Sequence, residues 1–242
     1  LYFVAPLKGK AIDAFYHKEY REKHNGFVEP SPSYLEGRLH TAKQRLNYLL
    51  NFTQPPGTLL DVGCNAGSFM KVAQKAGFSC TGIEPNKSIS TYGRQRGLDI
   101  FTGGLESFKT DRTFDVITLW HVFEHFYDPR RKLQLLAKLM HQDSLLVVNV
   151  PHITHLQQAP PEHYFHYNKR SIQSLFCQFD ILACHTNRVG SHVPLGRAAT
   201  TIVKKGPLLS VARPLYHLIL PLLKKLTREP ERNLSIVVKK KR

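Results

Sequence analysis

The sequence predicts an α/β fold: a parallel sheet with helices on both faces. Three observations predict it. Short, nearly continuous apolar runs recur at Leu59–Val62, Cys80–Ile83, Phe114–Trp120 and Ser144–Val150, as strands buried on both faces require. Stretches with a helical period separate them, and strand–helix alternation is the signature of a covered parallel sheet. Between the first run and its helix lies a small-residue turn, Gly63-Cys64-Asn65-Ala66-Gly67. Such a turn lets backbone approach a bound molecule and offers it the free N–H groups of a helix start.

Taken in order, residues 1–34 mix aromatics and charge with turn signals at 30–33, so a helical lead-in or cap is expected over 1–53. Leu35, Leu39, Ala42, Leu46 and Leu49 fall at helical spacing, with Arg38 and Arg45 together on one face. Pro55-Pro56-Gly57 stops this helix, and the main domain is expected over 54–242. Strand Leu59–Val62 leads through the glycine turn to helix Ser68–Ala76, and strand Cys80–Ile83 ends at Glu84-Pro85 before helix Asn86–Arg96. A short strand, Asp99–Phe101, precedes the turn Gly103-Gly104-Leu105-Glu106. Strand Phe114–Trp120 is followed by helix Asp128–His141, with Asp128 as cap, Pro129 at its first position and Leu133, Leu136, Ala137 and Met140 buried. Strand Ser144–Val150, helix Lys169–Gln178, strand Asp180–Thr186 and strand Asn233–Val238 complete the series. Insertions are expected at about 151–168, rich in His and Pro, and at about 204–230.

In parallel sheets of this kind ligands sit beyond the carboxyl ends of the strands. The loops after Val62, Ile83, Phe101 and Trp120 are therefore the expected site. The spacing G-x-x-x-G is neither a dinucleotide fingerprint nor a P-loop. Glu84 stands at a strand end about 20 residues beyond the turn, where a carboxylate can accept both hydroxyls of a ribose.

The chain has 242 residues, 42% hydrophobic, enough for one large domain or one with a small appendage. Thirty-four basic residues against 18 acidic give a formal charge of +16. That charge points to nucleic acid, an anionic membrane surface, an acidic substrate or simply a solvated surface. Cys64, Cys80, Cys177 and Cys184 form no CxxC pair, which argues against a zinc framework or disulfide scaffold and for a reducing, cytoplasmic setting. No signal peptide and no membrane-spanning apolar run is read. An apolar stripe from Leu208 to Leu226, broken by Pro214 and Pro221 and flanked by Lys224 and Lys225, fits either a helix packed on its own domain or one resting on lipid or a partner through about 206–228, peripheral at the inner face of a membrane.

Five motifs in this order resemble a class I S-adenosylmethionine-dependent methyltransferase, and are similar to the ubiquinone-biosynthesis-type O-methyltransferase relatives. They are Leu60-Asp61-Val62-Gly63-Cys64-Asn65-Ala66-Gly67, Gly82-Ile83-Glu84-Pro85, Gly103-Gly104-Leu105-Glu106, Phe114-Asp115-Val116-Ile117 and His121-Val122-Phe123-Glu124-His125. A later match is Glu162-His163-Tyr164-Phe165-His166-Tyr167. The resemblance covers about residues 35–187. It implies a Rossmann-like, seven-stranded, mostly parallel sheet with an antiparallel last strand, and an S-adenosylmethionine cofactor leaving as S-adenosylhomocysteine.

The resemblance places the methionyl part against Gly63 and the backbone near Leu119 and Trp120, and the adenine near Leu105 and Glu106, with Arg45 facing the cofactor carboxylate. Cys64, Gly67, Pro85 and His121 join the expected cofactor set. Asp61 is expected to accept turn N–H groups or to reach the methionine ammonium through water. Two departures stand out. Asn65 replaces a family glycine and is the non-glycine residue that best tolerates positive φ. Gly104 stands where a family Asp would contact the adenine, leaving backbone N–H groups for that task.

His121, Glu124 and His125 also spell H-x-x-E-H, a zinc-protease pattern. The pattern needs both histidines on one regular helix, whereas His121 follows a strand directly and Pro129 arrives soon after. Some similar ubiquinone enzymes are thought to use magnesium at Glu124 and His125; a divalent metal there stays open, and none is predicted. For transfer to a hydroxyl, His125 and His163 are the candidate bases, with His166 and His121 behind them. The expected activity is methyl transfer to a small-molecule acceptor, at a hydroxyl, on a lipophilic or glycan-linked molecule. Two alternatives remain: an RNA or protein methyltransferase drawn by the basic surface, and a non-catalytic cofactor-binding protein.

Overall fold

The computed structural model describes residues 2–3, 32–152, 163–187 and 233–241. The stripe at 208–226, most of the lead-in and residues 153–162 lie outside the described residues. The elements are β1 (Tyr2–Phe3), α1 (Pro32–Leu49), β2 (Gly57–Val62), α2 (Ser68–Lys75), β3 (Phe78–Glu84), α3 (Lys87–Gln95), β4 (Asp99–Thr102), β5 (Phe114–Trp120), α4 (Pro129–Lys138), β6 (Met140–Pro151), β7 (Phe165–His166), α5 (Lys169–Leu175), β8 (Phe179–Asn187) and β9 (Asn233–Lys240). A 3-10 turn, Phe123–His125, follows β5.

Seven strands form one sheet in the order β4-β3-β2-β5-β6-β9-β8. Pairing is parallel from β4 to β6, and β9 runs antiparallel to both of its neighbours. The last strand of the chain therefore does not close an edge but is inserted between β6 and β8. The chain order reverses between β2 and β5, which opens a crevice at their carboxyl ends. A separate pairing joins β1 to β7 with Tyr2 opposite His166.

Side chains alternate along buried strands, and this divides the core in two. Leu60, Val62, Ile117, Leu119, Leu146 and Val148 face Leu133, Leu136, Ile172 and Phe176 on one side of the sheet. Leu59, Val116, Trp120, Leu145 and Val147 face Ala42, Leu46, Leu49, Phe69 and Met70 on the other. Helix α1 thus belongs to the same core as the sheet.

Helix α4 is capped as the sequence predicts, and α3 has a cap that the sequence reading took as helix. Asn86 accepts from the N–H groups of Ser88 and Ile89, and Asp128 accepts from that of Arg131 ahead of Pro129. Helix α5 ends at Leu175, short of the expected Gln178, and the boundary between α4 and β6 shifts as well. Helix α4 stops at Lys138, and Met140 opens β6 opposite Phe114. Its burial, which fits the helical period, comes from sheet pairing instead, because an apolar residue one turn beyond a helix satisfies either pattern.

Leu60, fully buried in the central strand, tests the weight of this core. Leu60→Ala is expected to lower unfolding free energy by about 2–5 kcal/mol, read as a fall in the urea midpoint without a change in slope.

Candidate active site

The turn after β2 takes its shape from three residues in the left-handed region: Gly63 (φ 71°), Asn65 (φ 53°) and Gly67 (φ 76°). Asn65 adopts the conformation foreseen for it and accepts from the Ala66 N–H through its own side chain. A Cβ on Gly63 would collide with Val122, and one on Gly67 with Leu98. The turn is anchored to β3, where the Ile83 carbonyl accepts from the N–H groups of Gly63 and Cys64 at 2.8 and 3.0 Å.

Glu84, buried at the end of β3, completes the anchor. One carboxylate oxygen accepts from the Asn65 N–H at 3.0 Å and the other from the Asn86 N–H at 2.8 Å. Each oxygen keeps a further lone pair. Burial pushes the carboxyl up to about 7, against the pull of these two N–H groups. The turn N–H expected to bond Asp61 therefore bonds Glu84.

Asp61 does something different. Register pairs it with Thr118, and the Thr118 hydroxyl donates to its Oδ1 at 2.7 Å. Burial raises this carboxyl to about 7, while the Thr118 bond and Arg45 oppose the rise. Strand alternation sets Asp61, Thr118 and Trp120 on the α1 side of the sheet. There the Arg45 guanidinium lies 5.3 Å from the centre of the Trp120 ring. Burial lowers Arg45 to about 10, and its Nε and the Trp120 Nε1 are both buried without a hydrogen-bond partner.

Beyond β5 the chain turns sharply. His121 has φ 58°, uncommon for a residue with a side chain, and its N–H donates to the Asn149 carbonyl at 2.8 Å. The following 3-10 turn carries Glu124 and His125. The Tyr164 N–H donates to the Glu124 carbonyl at 3.0 Å, bringing His163 alongside. His163 Nε2 is 4.0 Å and His121 Nδ1 3.8 Å from Glu124 Oε1, and the rings of His125 and His163 meet edge-on with centroids 4.8 Å apart. Both Glu124 oxygens are buried without a hydrogen-bond partner. Burial raises this carboxyl to about 8 and lowers both His121 and His163 to about 3.

A cavity of about 270 Å³ joins the glycine turn, Glu84 and the turn after β5. Of the expected residues, Gly63, Asn65, Glu84, Pro85, Leu105, His121 and His125 line it. Arg45, Asp61, Cys64, Gly67, Glu106, Leu119, Trp120 and His163 do not form its wall. Cys64 and Leu119 are core, and Gly67 lines a separate groove on the α1 side. Glu106 is tied by Lys132; burial raises its carboxyl, but the Lys132 bond and nearby charge outweigh this and hold it below its ordinary range.

Sequence reading missed Asn86, Ile89, Val122, Phe126 and Lys132, all in the cavity wall. A cap residue, an apolar residue after a strand and a lysine in a helical first turn carry no signal of their own. Asn149, also missed, had one: it is a lone amide in the apolar run 145–150, buried with its Oδ1 unpartnered.

The group implied by the sequence resemblance can be tested against these residues. A ribose diol finds the free lone pairs of Glu84 and an adenine finds the apolar slot of Ile83, Ile89, Leu105 and Phe126; the buried Arg45 Nε, also without a partner, stands outside that wall. The residues fit S-adenosylmethionine. Magnesium fits poorly, since it asks for an octahedron of oxygens and the histidine cluster offers a single carboxylate.

Comparison with known proteins agrees. Residues 34–181 match the family described as "Methyltransferase domain". The ubiquinone biosynthesis O-methyltransferase of Actinobacillus pleuropneumoniae serotype 7 is 31% identical over 134 residues, covering 50% of this chain and 55% of that protein. The (S)-tetrahydroprotoberberine N-methyltransferase of Eschscholzia californica is 29% identical over 107 residues, 40% of this chain and 30% of that one. The chain thus spans about half or less of the length of these curated relatives. Magnesium protoporphyrin IX methyltransferase from Synechocystis PCC 6803, solved with bound S-adenosylmethionine, aligns with a TM-score of 0.60 at 13% identity, over 98% of this chain and 99% of its own. A complex of the Haloferax volcanii Trm112 activator with a methyltransferase gives 0.62 at 11% identity, over 87% and 95%. With the strand order, the glycine turn and Glu84 at the strand end, the chain belongs to the methyltransferase domain family.

Proposed function

We propose that the protein transfers the methyl group of S-adenosylmethionine to a hydroxyl of a small-molecule acceptor. One observation carries the reading: the cavity runs from Glu84 to a wall of imidazoles, His121 and His125, with His163 behind. The sulfonium is already activated, so alignment and exclusion of water do most of the work. A hydroxyl also has to lose its proton, and the imidazole end is where it would do so. The ubiquinone O-methyltransferase likeness supports oxygen as the acceptor atom. In this reading Glu84 holds the ribose, Gly63 and Asn65 the methionyl backbone, Leu105 the adenine, and Arg45 the carboxylate.

A second reading, an RNA methyltransferase, is favoured by one observation. A groove of about 560 Å³ between α1, α2 and α3 is lined by Lys43, Lys71, Lys75 and Arg96 and, among the described residues, by no acid. RNA held there would bind with a steep salt dependence. Binding of a short RNA should then weaken strongly between low and physiological salt, and Lys71→Ala with Lys75→Ala should flatten that slope. A flat salt dependence in the parent protein would remove this reading.

Titration calorimetry with S-adenosylmethionine tests the first reading. Hydrogen bonds to a charged group contribute about 1.5–3 kcal/mol, so Glu84→Ala is expected to weaken binding at least about tenfold. Equal affinity in parent and variant would overturn the ribose role.

The raised Glu84 carboxyl makes a further statement about pH. Its folded value, about 7, lies above its ordinary value of 4.5. The native state therefore holds the proton that the unfolded chain has released, and stability falls as pH rises through that window. Glu84→Gln is expected to lose less stability than the parent between pH 5 and pH 7, read from urea midpoints. Parallel curves for the two proteins would contradict the assignment.

A further inference from the structure

We propose that the groove between α1, α2 and α3 binds one molecule of an amphiphile with a phosphate head and a hydrocarbon body, at a site separate from the cavity at Glu84. The inference goes beyond both readings of the reaction and rests on neither.

The groove is built from one stripe of each helix. Leu39, Lys43 and Leu46 follow one another at helical spacing on α1, Lys71 and Lys75 lie one turn apart on α2, and Tyr92 lies one turn before Arg96 at the end of α3. The space they enclose is about 560 Å³, within the range of about 300–1,000 Å³ typical of small-molecule sites. It has no lining residue in common with the cavity at Glu84. The two spaces back onto the same turn, Gly63 and Asn65 lining the cavity and Ala66 and Gly67 the groove.

Charge selects the head. Lys43, Lys71, Lys75 and Arg96 line the groove; among the described residues no acid does, and none of the four makes a salt bridge. Like charges one helical turn apart repel, so Lys71 and Lys75 carry a cost that a bound anion would relieve. Arg96 is already oriented: its Nη1 donates to the Tyr92 hydroxyl at 2.7 Å, and the guanidinium lies 5.3 Å from the centre of that ring. The planar fork of arginine matches phosphate oxygens in pairs, and lysines add point charges around them. A phosphate monoester carries a charge of about −1.5 to −2 near neutral pH, so one head answers several cations where a carboxylate answers one.

The rest of the lining selects the body. Most of it is apolar: Leu39, Leu46, Val72, Ala76 and Leu98. Leu39 is 39% exposed, one of four large apolar side chains so exposed among the described residues. Inorganic phosphate, or the sugar–phosphate backbone of RNA, would leave that surface in water. A hydrocarbon chain attached to the head covers it, and removal of apolar surface from water favours the complex. The lining therefore suits an amphiphile better than RNA. A recess between three helices admits one chain and not the flat face of a bilayer.

Titration calorimetry on the full chain tests this with decyl phosphate below its micelle concentration. Inorganic phosphate, decanol, a short RNA and phosphatidylglycerol vesicles are the comparisons. Decyl phosphate is expected to bind at one site per chain, at least about tenfold more tightly than inorganic phosphate or decanol. Lys71→Ala with Arg96→Ala should weaken it at least about tenfold. Leu39→Ser should weaken decyl phosphate several-fold while leaving inorganic phosphate unchanged. Parental circular dichroism and a cooperative urea transition certify folding, and Lys71→Gln with Arg96→Gln serves if the alanine pair fails that check. Binding of RNA or vesicles without binding of decyl phosphate, equal affinity for decanol and decyl phosphate, or undiminished binding in the folded variants would overturn the proposal. None of these results bears on the Glu84→Ala comparison, so the groove and the ribose role stand or fall separately.

Discussion

The two hydrogen bonds accepted by the Glu84 carboxylate hold the site together. From the end of one buried strand this side chain bonds the N–H of Asn65 in the neighbouring turn and that of Asn86 at the cap of its own helix. Both N–H groups belong to loops at the carboxyl edge of the sheet, where no strand partner satisfies them. A single acid therefore closes two loops and faces its remaining lone pairs into the cavity. The cost is visible in the raised carboxyl, because burial disfavours a charge that only two neutral donors support. A ligand that donates two hydroxyls would complete the same group.

The α1 side of the sheet shows a related economy. Alternation along β2 and β5 places Asp61, Thr118 and Trp120 in one row, and α1 lays Arg45 across them. Arg45 and Asp61 lie close enough to shift one another, yet Asp61 is bonded to Thr118 and the Arg45 Nε has no bond at all. Unpaired buried donors are uncommon in folded proteins and mark places where something else binds.

In the turn after β5 strain and burial coincide. His121 keeps a left-handed conformation that costs free energy. It is held by the Asn149 carbonyl and followed at once by the turn bearing Glu124 and His125. A regular continuation of β5 would carry those side chains past the cavity. The strained residue is what turns them back beside His163.

By itself the sequence determined the order of strands and helices, the site's position at the carboxyl edge, Glu84 at a strand end and the left-handed tolerance of Asn65. These follow from local periodicity, capping and φ preferences, which neighbours in sequence carry. Where two local patterns agreed, the sequence could not choose between them. Met140 satisfied both helix and strand, and only pairing with Phe114 placed it in β6. Asp61 was the expected anchor for the turn, but the register of β2 against β5 gave Asp61 to Thr118 and the turn N–H of Asn65 to Glu84. Likewise, nothing near His163 in the chain announced Glu124, and nothing near Lys132 announced Glu106. Their meeting depends on long-range packing, which brings together side chains whose local sequences are independent. The tertiary structure decided which of the chemically able residues share a space, and so what the cavity can hold.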